Sequence, residues 1–138
     1  MRDAVIQHLL PGAQVVHDPD GAPRLLGHDG HISIAHDGEW VAIAHGDTPV
    51  GIDLCLRRYE ARTRTILTWL HIDVFDPVAQ FAAIEAVLKL RRLGIERVLE
   101  RDISVERDGR DIVVHGLGDD VRVHIHDDHP DYVVAVCG

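Results

Sequence analysis

Aromatic side chains are scarce in this chain of 138 residues, at 4%, so a core must be built from Val, Ile, Leu and Ala. Long apolar runs are missing as well: a stretch such as Tyr132 to Cys137 is far too short to cross a bilayer. The opening Met1-Arg2-Asp3-Ala4 has no charged segment feeding a long apolar one, so no secretory signal is expected. Cysteine is limited to Cys55 and Cys137, without metal-type spacing, and the expectation is two reduced thiols in the cytoplasm. Lysine is almost absent: Lys89 is the single one among 14 basic residues, and the rest are arginine. A bias toward Arg, Ala, Val, Gly and Asp fits a GC-rich coding background, and a lysine that survives in such a background marks a position to locate.

What is present describes a folded chain. Hydrophobic residues make up 46% and charged residues 27%, and the length suits a single domain over 1–138. The net charge of −9 argues against a general nucleic-acid binder and against an anionic-membrane binder. Short β-rich runs are expected at Gln14 to His17, His31 to Ala35, Glu39 to Ala44 and Pro49 to Leu54, with Asp37-Gly38 as a hairpin turn. The middle reads as helix, first over Arg57 to Leu70. A longer helix starts at the N-cap Asp76 with Pro77 behind it, runs to Leu93 and stops at Gly94. Strands return at Ile103 to Arg107, Ile112 to His115, Val121 to His126 and Tyr132 to Val136, with Asp108-Gly109 as a second hairpin turn. Sheet, helices, then sheet indicates the α+β class.

Four segments in order carry a family likeness: Gly21-Ala22-Pro23-Arg24-Leu25, Ile32-Ser33-Ile34-Ala35-His36-Asp37, Val50-Gly51-Ile52-Asp53-Leu54, and Phe81 to Lys89. Together they resemble the surfactin-type members of the 4'-phosphopantetheinyl transferase superfamily. Those proteins show a Gly-basic-Pro turn, a strand ending in Ser-His-Ser, a Gly-Ile-Asp-x-Glu strand and a helix with Trp-x-x-Lys-Glu-Ala-x-x-Lys. The likeness implies an antiparallel sheet packed with one long helix and one or two shorter ones. It implies an enzyme that moves the phosphopantetheine arm of coenzyme A onto a serine of an acyl or peptidyl carrier protein. It also implies Mg²⁺, because breaking a pyrophosphate needs a hard cation held by a few carboxylates. By position, Asp53 and Glu85 correspond to metal ligands. Lys89, one helical turn past Glu85, would steady the phosphate charge, and His36 would orient the coenzyme beside Pro23 and Arg24.

The chain departs from this pattern at several points, each touching function. Cys55 stands where the family has a third acid, and a thiol is a poor partner for Mg²⁺. Ala22 replaces the basic turn residue, Ala35 and Asp37 replace the two serines around His36, and Ile84 replaces the lysine before Glu85. The family's enzymes are pseudo-dimers, and most of one half has no counterpart here; the expectation is that a second copy supplies it, as a homo-oligomer. Two further readings accompany the transferase. In one, a repurposed member docks a carrier protein and does acid-base work with His36, Asp37, Asp53 or Glu85. In the other, the chain is a non-catalytic binding module.

The same residues also have plain readings. Asp53 after Gly51 suits a strand end, Glu85 and Lys89 suit a surface i,i+4 pair worth a few tenths of a kcal/mol, and His36 suits a polar hairpin. Cys55 reads as a small buried hydrophobe. His124 and His126 alternate along one strand face ahead of Asp127, Asp128 and His129, either as a zinc site or as an exposed polar strand. Arg57, Arg58, Arg62 and Arg64 form either a solvated helix face or a surface that steers an acidic carrier.

Overall fold

A computed structural model describes residues 2–138. The elements run α1 (Arg2–Leu9), β1 (Gln14–His17), β2 (Pro23–Leu26), β3 (His31–Asp37), β4 (Trp40–Gly46), β5 (Gly51–Leu56), α2 (Glu60–Trp69), α3 (Pro77–Arg91), β6 (Ser104–Asp108), β7 (Asp111–His115), β8 (Val121–His126) and β9 (Tyr132–Cys137). Short 3₁₀ turns precede α2 and follow α3. The α+β class holds, with three antiparallel sheets: the pair β1-β2, the hairpin β3-β4, and five strands in the order β5-β9-β8-β7-β6. Among the described residues, no helix is long and apolar enough to cross a membrane.

Local sequence explains most of these elements. Both expected hairpins form, pairing Asp37 with Trp40 and Asp108 with Asp111 across two-residue turns. Their first turn residues, Gly38 and Gly109, take φ of +57° and +62°, a region in which a side chain is strained. Asp76 caps α3 by accepting from the Ala79 N–H at 3.2 Å, and Pro77 follows at the first helical position. Three expectations need correction. The long helix does not reach Leu93 and Gly94; it ends at Arg91, and Arg92 takes the left-handed C-cap position at φ 56°. The strand expected over Pro49 to Leu54 instead spans Gly51–Leu56. The Gly21 to Leu25 turn opens directly into β2.

Helix α3 lies across one face of the five-stranded sheet, and the main core fills the space between them. Val78, Ile84, Val87 and Leu88 of α3 are almost wholly buried there. Each such side chain is worth about 1.5–3 kcal/mol, so packing fixes where α3 sits. Ala82, Ala83 and Ala86 keep the helix close to the sheet. At Gly51 the approach leaves no room for a side chain, because an added Cβ would collide with the Ala86 carbonyl oxygen. The opposite face of β5 and β9, carrying Ile52, Leu54 and Val134, is covered by Trp40 and Ala42 of the β3-β4 hairpin. A third, smaller core joins Ile6 and Leu10 near α1 to Leu25 and Ile32.

Because the collision at Gly51 is with backbone, Gly51→Ala should destabilise the fold by about 2–3 kcal/mol. Gly109→Ala, in open space and strained only by its positive φ, should cost about 1 kcal/mol. Urea unfolding of the two variants checks the order.

Candidate active site

Strand alternation sends Gly51, Asp53 and Cys55 toward α3, while Ile52, Leu54 and Leu56 face the hairpin. Since Gly51 lets α3 come close, the polar positions of the helix meet those of β5. Asp53 and Glu85 line one cleft of about 230 Å³, walled by Asp37, Cys55, Tyr59 and Phe81, with Arg62 and Ile66 of α2 at its side. The Lys89 ammonium reaches Asp53 Oδ1 at 3.3 Å. Residues expected to act together therefore do converge, although they come from a strand and a helix well apart in sequence.

Lys89 is also tied to the backbone. Its Nζ donates to the carbonyls of Ile34 on β3 at 3.2 Å and Ile52 on β5 at 3.0 Å. Strands β3 and β5 share no backbone ladder. Side chains bridge the gap instead: Ser33 Oγ accepts from the Ile52 N–H at 3.1 Å, and Asp37 Oδ2 accepts from the Leu56 N–H at 3.4 Å. Lys89 completes that seam.

The cleft is electrostatically unusual. Burial pushes the Asp53 carboxyl up from 3.8 to about 7; Lys89 opposes this, and nearby Glu85 adds to it. Glu85 is likewise raised by burial, with only the charge of Lys89 acting against it. The Cys55 thiol is pushed up to about 12 by burial and by the charges of Asp53, Asp37 and Glu85. That holds it protonated at neutral pH, the form that is a poor nucleophile.

The other expected site residues lie apart from the cleft lining. His36 is exposed on β3, and its neighbour Asp37 enters the cleft in its place. Pro23 and Arg24 stand on β2, where Arg24 Nε pairs with Asp18 Oδ1 at 3.0 Å. Asp18 and Asp20 also hold Arg92, at 2.9 and 2.8 Å, which ties the β1–β2 turn to the end of α3. Arg57 is turned toward Asp76 at 2.8 Å, whereas Arg58, Arg62 and Arg64 stay exposed. His124 Nδ1 pairs with Asp111 Oδ1 at 3.0 Å. Among the described residues, no three His, Cys, Asp or Glu side chains form a metal-holding group. Tyr59, Arg62 and Phe81 are cleft residues the sequence did not point to, whereas Asp37, a candidate acid or base from the sequence, does line the cleft. Asp37 had a signal, since it shares strand parity with buried Ser33 and Ala35.

The fit to Mg²⁺ follows from the donors. No buried side-chain nitrogen or oxygen among the described residues lacks a partner, so the protein does not itself demand an ion. Two carboxylates in one cleft do suit a hard cation that draws its remaining ligands from water and phosphate. Asp53 and Glu85 would hold it, sharing Asp53 with Lys89. No family model matches the chain, and no curated protein matches it.

A group whose folded pKa lies above its unfolded one holds its proton more tightly when folded, so ionising it costs stability. For Asp53 that cost sets in as pH rises from 3.8 and is complete above about 7. The unfolding free energy of wild type minus that of Asp53→Asn should therefore fall across this window and level off above it. Urea titrations at stepped pH read the difference, and a flat or rising trace would contradict the burial argument.

Proposed function

We propose that the cleft is the active site of a phosphopantetheinyl transferase-like enzyme, which moves 4'-phosphopantetheine from coenzyme A to a serine of an acyl or peptidyl carrier protein. The observation that carries this reading is the convergence of Asp53 and Glu85 on one cleft with Lys89 against Asp53. Bound Mg²⁺ would neutralise the pyrophosphate as it is cleaved. Asp53 and Glu85 would supply the oxygens that place it, and its charge would counter the burial that raises both carboxyls. His36, Pro23 and Arg24 would contact the coenzyme outside the cleft lining. Exposed Arg58, Arg62 and Arg64 offer a basic face on an otherwise acidic protein, suited to steering an anionic carrier. A second copy of the chain would supply the coenzyme contacts that this half lacks, giving a homodimer.

One observation favours a second reading. An ammonium has three donors, and Lys89 already engages three acceptors. Lys89 can stabilise a phosphate only by leaving one of them. Asp53, pushed up to about 7, and Glu85, likewise raised by burial, are the carboxyls best placed to give or take a proton on a carrier-tethered substrate.

Calorimetric titration with coenzyme A, with and without Mg²⁺, separates the readings. The transferase predicts Mg²⁺-dependent binding, together with a mass gain on at least one apo carrier protein that Asp53→Asn and Glu85→Gln lower by about 10²-fold or more. Carrier binding with no coenzyme affinity supports the acid-base reading. If neither ligand binds, both readings fall.

A further inference from the structure

Three oxygens from two strands meet at one point: the Ile34 carbonyl of β3, and the Ile52 carbonyl and the Asp53 carboxylate of β5. Lys89 Nζ occupies that point at 3.2, 3.0 and 3.3 Å. Two carbonyls and a carboxylate make the kind of oxygen set that hard metal ions select. The ammonium spends all its donors there, and it comes from the only lysine in the sequence.

The position gives this cation two effects at once. It counters the charge of Asp53 inside a cleft that also holds Glu85. It also draws together β3 and β5, which have no ladder to do so. An arginine would deliver its charge through a planar fork, whereas three converging oxygens call for a compact charge with three donors. This accounts for a lysine in a chain whose other basic residues are all arginine.

We propose that Lys89 is a built-in cation: a positioning residue whose ammonium fills an oxygen-lined cation site and keeps metal ions out of it. The inference goes beyond the functional reading, because it concerns the protein without coenzyme or carrier. In the transferase reading, a metal ion reaches the cleft together with phosphate and leaves Lys89 seated; in the acid-base reading, Lys89 is the sole cation on Asp53.

Mn²⁺ is the probe, with binding followed by electron paramagnetic resonance on protein free of coenzyme. Lys89→Ala should bind Mn²⁺ at least about tenfold more tightly than wild type, since a unit charge in contact with the site is gone and its oxygens are vacated. The double variant Lys89→Ala, Asp53→Asn should lose the gain. A merely structural lysine would not move this signal when replaced. Lys89→Met, which keeps the apolar stem, should behave as Lys89→Ala does. Should either variant be unfolded alone, added Mn²⁺ or methylammonium should restore the fold. Equal Mn²⁺ affinity in wild type and variants, a gain that survives Asp53→Asn, or unfolded variants that neither cation rescues would each overturn the proposal.

Discussion

The separation between α3 and β5 governs everything in this molecule that bears on chemistry. It is set where Gly51 passes under Ala86 with no space for a Cβ. Two residues along the strand, Asp53 faces the same way; on the helix, Glu85 precedes Ala86 and Lys89 lies three residues past it. A helix held a side chain's width further out would leave a solvated Asp53 and an ordinary surface pair of Glu85 and Lys89. Brought in, the three become a partly desolvated group of two acids and one base. The small residues of α3, Ala82, Ala83 and Ala86, are thus as much part of the site as the charged ones.

Desolvation then decides the character of the cleft. Burial raises both carboxyls, and a single ammonium offsets it only in part. Lys89 can engage Asp53 because the β3-β4 hairpin and β5 offer it carbonyls as well, so its own desolvation is compensated by hydrogen bonds. Charge balance in the cleft and cohesion between two sheets consequently rest on the same atom.

How much of this was legible in the sequence depended on how local each signal was. Asp37-Gly38, Asp108-Gly109 and Asp76-Pro77 carry their own backbone chemistry, and the hairpins and the start of α3 appear where those residues put them. The end of α3 was misplaced because Arg92 is held in its left-handed conformation beside ion pairs to Asp18 and Asp20, partners some seventy positions away. The helix Arg2–Leu9 went unread, since only Ile6 within it is buried and its face has little apolar pattern. At the site, the adjacency of Glu85 and Lys89 follows from helical spacing, whereas their meeting with Asp53 was an expectation of the family resemblance alone. Of the neighbours His36 and Asp37, both candidates from sequence, Asp37 has the phase that lines the cleft, because alternate residues of a strand face opposite ways. Tyr59, Arg62 and Phe81 enter the cleft through the packing of α2 against α3, and no short motif encodes that.

The seam along β5 also protects the chain from its own kind. A strand at the border of a sheet normally shows a row of amide hydrogens to any passing polypeptide, and that row is the seed of fibres. Here Ser33 and Asp37 occupy two of those hydrogens with side-chain oxygens, which silences the border without adding another strand to it. The border is held by groups that can let go one at a time, so the contacts that join β5 to the hairpin also occupy part of its free edge.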